Sequence, residues 1–145
     1  MKNISEETVC HLAMSPFYVV HLVLSECLEP EKISERHIVR AIEYGLTWQT
    51  PFSEGIFELL RSNLHKYYAK FSPDYRSGSI EDLRAALCSV RQTLDQLVGP
   101  PEMIDDFKAC LKNLAVFVAG GGTFRKEIEH AGMQTQAEWI KQTLI

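Results

Sequence analysis

Residues 16–27 read PFYVVHLVLSEC, and from Phe17 to Leu24 every residue except His21 is apolar. No polar stripe is left to face water, and a helix apolar all round is one that its neighbours surround. A run of eight such residues is far too short to cross a bilayer, which takes about 20. The stretch therefore predicts the central core helix of a soluble protein, running out near Leu28. A second stretch, LKNLAVFVA at residues 111–119, predicts its partner in the other half of the chain.

Outward from this centre the chain reads as helices joined by short breaks. Ser5 before Glu6 and Glu7 is an N-cap with acids placed against the helix dipole. Pro16 either kinks that helix or restarts it, because proline has no N–H to donate. Pro30 or Ser34 opens the next helix, whose inward face is Ile38, Val39, Ala41 and Ile42, and Gly45 is a natural terminator. Thr50-Pro51 starts a third helix. Its apolar positions Phe52, Ile56, Leu59, Leu60, Leu64, Tyr67 and Phe71 continue at helical spacing into the turn-rich SPDYRSGS.

Ser79-x-x-Asp82 resembles a capping box. Behind it Ile80, Leu83, Leu87, Val90, Leu94 and Leu97 step by three and four, which is a heptad seam. Gly99-Pro100-Pro101 breaks the chain, and Ile104, Phe107, Leu111, Leu114 and Val118 form a second seam. Two seams across a tight turn predict an antiparallel hairpin. Gly120-Gly121-Gly122 predicts a loop, and a final helix or pair follows. No strand alternation is present. The fold expectation is a single all-α domain, residues 1–145, with six or seven helices around two buried ones.

Size and composition agree. A chain of 145 residues buries roughly 70% of its unfolded surface in one core. Fifteen basic against 19 acidic residues give a net charge of −4, and Lys and Arg are not clustered. That argues against binding to a nucleic-acid backbone, which needs a basic patch. The opening MKNISEETV carries acids where a secretory signal has its apolar core, so the expected location is the cytoplasm, without membrane insertion. Cys10, Cys27, Cys88 and Cys110 are scattered, and in a chain large enough to build a core they read first as reduced thiols buried on helix faces, with a redox or metal role for one of them as the alternative.

The two halves share a plan: a buried apolar helix, a short polar loop, an amphipathic helix. VVHLVLSECLEPEKISERHI carries it in the first half and NLAVFVAGGGTFRKEIEHA in the second. This layout resembles the tellurite-resistance TerB-like family of all-α proteins, in which both buried helices run into acidic Asp-Gly loops associated with divalent metal. Glu26 stands where the first family Asp would be, with Cys27 for the following Gly and Glu31 at a later acid. In the second loop Gly121 replaces the Asp, Gly122 keeps the Gly, and Glu127 matches a later acid. What the resemblance implies is a stress-response module with a divalent cation held by Glu26, Glu31 and Glu127.

The residues themselves carry few signals of chemistry. Glu26, Glu29, Glu31 and Glu35 gather around one loop and helix start, where calcium would find several of its six to eight oxygens; acids also belong there for dipole reasons alone. Glu127-x-x-His130 has the spacing of half a di-iron site, with no second copy. His21 is the one polar residue on the apolar helix, read first as a hydrogen-bonded core residue. Cys10-His11 could pair a thiol with an imidazole. Tyr67, Tyr68, Phe71 and Tyr75 beside Lys66, Lys70 and Arg76 form a stacking surface or, more simply, cover the core. Trp48 and Trp139 sit near helix ends, where interface roles are common.

No P-loop, GxSxG or dinucleotide fingerprint is present. The expectation is a non-enzymatic module that works through contacts with another protein or as a homodimer. The rival is an enzyme or metal carrier using the interior through His21, Glu26, Cys27, Glu127 and His130.

Overall fold

The first helix, α1, runs unbroken over Glu6–Leu24, with residues 12–24 all buried, as the apolar run requires. In the computed structural model the described residues are 5–26, 28–48, 50–75, 79–120 and 134–144. After α1 come a single 3₁₀ turn at Pro30–Lys32, α2 at Glu35–Leu46, α3 at Pro51–Ser62, α4 at Leu64–Tyr75, α5 at Ile80–Gln96, α6 at Pro101–Ala119 and α7 at Gln134–Thr143. The fold is all-α, with seven helices among the described residues. By length and composition α1 alone among the described residues is long and apolar enough to cross a membrane. Here its apolar surface is enclosed by the other helices.

Pro16 neither restarts nor ends α1. Its missing N–H leaves the Leu12 carbonyl without an intrahelical donor, and Ser15 Oγ donates to that carbonyl at 2.6 Å instead. Ser5 caps the N-terminus as its sequence suggests, accepting from the Thr8 N–H at 3.1 Å. The helix ends at Leu24, four residues short of the expected Leu28, where Ser25 turns its hydroxyl back to the Leu22 carbonyl.

The hairpin expectation needs correction. α5 and α6 both lie chiefly against α1 and touch each other only lightly. The seam residues Leu83, Leu87, Val90 and Leu94 are buried because α1 fills the space that a coiled-coil partner would take. α6 does pack on α1 as its expected partner, yet it is not enclosed: Val116 is 48% exposed. Between α5 and α6 the bridging contact is Lys108, buried to its ammonium, which reaches Asp95 at 2.6 Å.

Two further features escaped the periodicity. The third helix does not run on to Phe71 but breaks at Asn63, whose backbone leaves helical geometry and whose side-chain amide donates to the Leu59 carbonyl at 3.0 Å. The break lets α4 turn so that Phe71 stacks on Phe17, 5.1 Å between ring centres, and meets His21 at 4.4 Å. Gly45 lies within α2 rather than ending it. A Cβ there would come within 2.3 Å of the Phe57 ring, so glycine is what allows α2 and α3 to close on each other.

Candidate functional site

The first turns of α1 divide two depressions of different chemistry. On one side α3 and α6 form a groove of about 760 Å³. Its walls are Val9, Phe52, Ile56, Leu59 and Met103, and Glu102 and Asp106 also line it. Gly55 is exposed on α3, with open space where a Cβ would stand. A smaller depression of about 330 Å³ shares Val9 and Leu59 and carries the groove on to Tyr67 and Lys66.

One carboxylate holds the groove's end together. Asp106 Oδ1 accepts from Trp48 Nε1 at 3.0 Å, while Oδ2 accepts from Ser53 Oγ at 3.1 Å and from Thr50 Oγ1. Thr50 is the N-cap of α3, and its hydroxyl serves Asp106 rather than its own helix. An acid from α6 thus sits at the N-terminus of α3, where the helix dipole favours it. Phe52 packs edge-on to the buried Phe107 at 5.5 Å and closes the floor.

On the other side of α1, a pocket of about 430 Å³ opens between α1, α4 and α5 and is lined by polar groups. Ser89 Oγ lies 3.1 Å from His11 Nε2, and Lys70 Nζ donates to Cys10 Sγ at 3.4 Å. Burial lowers the His11 pKa from 6.5, with a hydrogen bond to Ser89 pulling the other way. The imidazole beside Ser89 is therefore held toward its neutral form.

The acids named from sequence disperse. Glu26 Oε1 accepts the Gln136 N–H at 2.5 Å and so caps the first turn of α7 from 110 residues away. Glu35 turns toward His65, 3.5 Å off. Glu29 and Glu31 stay together in the open, and their shared hydrogen bond raises the Glu29 carboxyl above its usual range. Glu127 and His130 lie outside the described residues, as does Cys27. Among the described residues no three His, Cys, Asp or Glu side chains converge on a point that would hold a metal ion.

His21 belongs to the core, with Nδ1–H donating to the Phe17 carbonyl at 3.1 Å. Of the aromatic cluster, Tyr67 and Phe71 are buried and Tyr68 packs on Phe17, so these rings cover the core under α4. Trp139 lies under the Arg84 guanidinium at 4.8 Å. Asp106 and Ser89 were not singled out by spacing, and Lys70 was named only as a neighbour of the aromatic cluster. Their partners lie 53 to 78 residues away in sequence, and no local pattern encodes such pairings.

Searches against protein-family models, curated proteins and solved structures found no match to this chain.

Proposed function

We propose that the chain is a helical docking module, and that the groove between α3 and α6 receives an amphipathic helix of a partner protein. The observation that carries this is a groove of about 760 Å³ whose walls are mostly apolar and whose lining includes the exposed Glu102. Helix-in-groove recognition places an apolar stripe, at steps of three and four, against such walls. Glu102, exposed on the groove's lining of a chain of net charge −4, selects a helix with Lys or Arg flanking the stripe. The groove exceeds the bulk of a single side chain, and its smaller continuation past Leu59 supplies the length that a two-turn helix needs. No nucleic-acid or membrane contact enters this reading, and the cytoplasm is the compartment proposed for it.

A stress-related role of the TerB type belongs to the same proposal. Its support is the plan of two apolar helices, α1 and α6, that pack against each other. Its divalent cation gains no support from Glu26, which is engaged at the start of α7.

The test uses a synthetic 14-residue helical peptide with leucines at steps of three and four and lysines flanking them, and the same peptide with glutamates for lysines. The lysine peptide binds with a micromolar dissociation constant, the range of small transient interfaces, and shifts the amide resonances of Val9, Phe52, Leu59 and Met103. Leu59→Glu weakens it at least tenfold while leaving the thermal midpoint nearly unchanged, because Leu59 is only part-buried. Equal binding of both peptides, or shifts elsewhere on the surface, would overturn the assignment.

A further inference from the structure

The polar pocket plays no part in groove docking, and its chemistry concentrates on one atom. Cys10 is part-buried and lines two depressions, the 430 Å³ pocket and the 330 Å³ one on the other side of the same helical turn. Cys10 thus borders both openings. Lys70 Nζ stands 3.4 Å from that sulfur. An ammonium has three donors, so one can address the sulfur while the others face a ligand in the pocket. Glu7 lines the same pocket, which leaves Lys70 as the place where a ligand carboxylate would settle. Thr8, Ser89 and Thr93 add hydroxyl groups suited to the amides of a peptide-like molecule.

Thiol–disulfide exchange spreads negative charge over the sulfurs in line, and a cation fixed beside the attacking sulfur stabilises that charge where it develops. We propose that Cys10 is a thiol-exchange site for small disulfides that carry carboxylates, with Lys70 binding the carboxylate and steadying the charge on sulfur. Cys10 Sγ, having released its proton to solvent, attacks one sulfur of the disulfide. A new S–S bond forms, the old one breaks, and the departing thiolate takes up a proton from water. The protein thiol is oxidised to a mixed disulfide, and one half of the small disulfide leaves as a reduced thiol. No other oxidant is required.

The chain supplies its own controls. Cys88 is part-buried like Cys10. Cys110 is fully buried, and desolvation, reinforced by the Asp106 carboxylate, pushes its thiol up to about 12. The native full-length chain is incubated with oxidised glutathione, and each cysteine's mixed disulfide is followed by peptide mass mapping. Cys10 reacts at least tenfold faster than Cys88, and Cys110 does not react. Lys70→Met, at an exposed position, slows Cys10 several-fold and leaves Cys88 unchanged, while Lys70→Arg restores most of the rate. Cystamine, a disulfide with amines in place of carboxylates, reacts more slowly than glutathione at Cys10, and Lys70→Met removes that preference. A Cys10 rate no greater than that of Cys88, an unchanged rate in Lys70→Met, or equal rates with the two disulfides would each overturn the proposal.

Discussion

The groove against α3 and α6 and the pocket against α4 and α5 share one wall, the first turns of α1, and differ in what faces it. The groove is walled by Val9, Phe52, Ile56, Leu59 and Met103, side chains that gain by leaving water. The pocket pairs a hydroxyl with an imidazole and a thiol with an ammonium. In the groove the Asp106 carboxylate already has a donor on each oxygen from the α2–α3 region, and Glu102 is the exposed charge. In the pocket the polar groups line an open space. Asp106 thus serves architecture, whereas the paired groups of the pocket border an open hollow that a ligand can enter.

That contrast can be broken from the groove side with the largest effect at Gly45. An alanine Cβ there would lie 2.3 Å from the ring of Phe57, which is fully buried and has nowhere to go. Gly45→Ala should cost about 3 kcal/mol in denaturant unfolding, near the top of the range for overpacked sites. Peptide binding in the groove should weaken with it. The exchange rate at Cys10 should hold in the variant that remains folded, since the Gly45–Phe57 contact joins α2 to α3.

Asp106 comes next. Asp106→Ala leaves the Trp48 N–H and the Thr50 and Ser53 hydroxyls without their acceptor and should cost about 2 kcal/mol. Asp106→Asn keeps one acceptor oxygen and should cost about half as much. Thermal unfolding measures both, and a Trp48 fluorescence change should accompany the alanine variant. An equal loss for both would mean that charge at the α3 N-terminus, rather than the number of acceptors, decides the contribution.

The smallest effect lies on the pocket side. His11 binds its proton less readily folded than unfolded, where its value is 6.5. Its contribution to stability is therefore complete above pH 6.5 and is lost as pH falls through the lower folded value. Denaturant midpoints at pH 7, 6 and 5 should decline more steeply for the wild type than for His11→Gln. Parallel slopes would show that the imidazole is no more shielded than in the unfolded chain.

How much of this was legible in the residues depends on the range of the interaction. Ser5, Thr50-Pro51 and Ser79 start helices where their sequence places them, and of the two starts open for α2 Ser34 is the one used, Pro30 opening only a single 3₁₀ turn. The seam of α5 was read with the right face and the wrong partner. Periodicity shows which side of a helix avoids water, not which neighbour covers it. Gly45 and Asn63 went the other way for the same reason: a terminator residue stays inside a helix when a neighbouring ring demands its lack of a side chain, and a helical pattern breaks where the chain must turn to bring Phe71 onto Phe17. Of the acids grouped by sequence around residues 26–35, Glu29 and Glu31 stay together, while Glu26 and Glu35 leave them because α7 claims the one and α4 faces the other.

By itself, then, the sequence determined the all-α class, the central position of α1 and most helix starts, since burial of an apolar run and capping of a helix end are local matters. Tertiary structure alone decided the two depressions. Asp106 meets Trp48, Thr50 and Ser53, and Lys70 meets Cys10, across more than fifty residues of chain, and such meetings exist only once α1 has gathered the other helices around it.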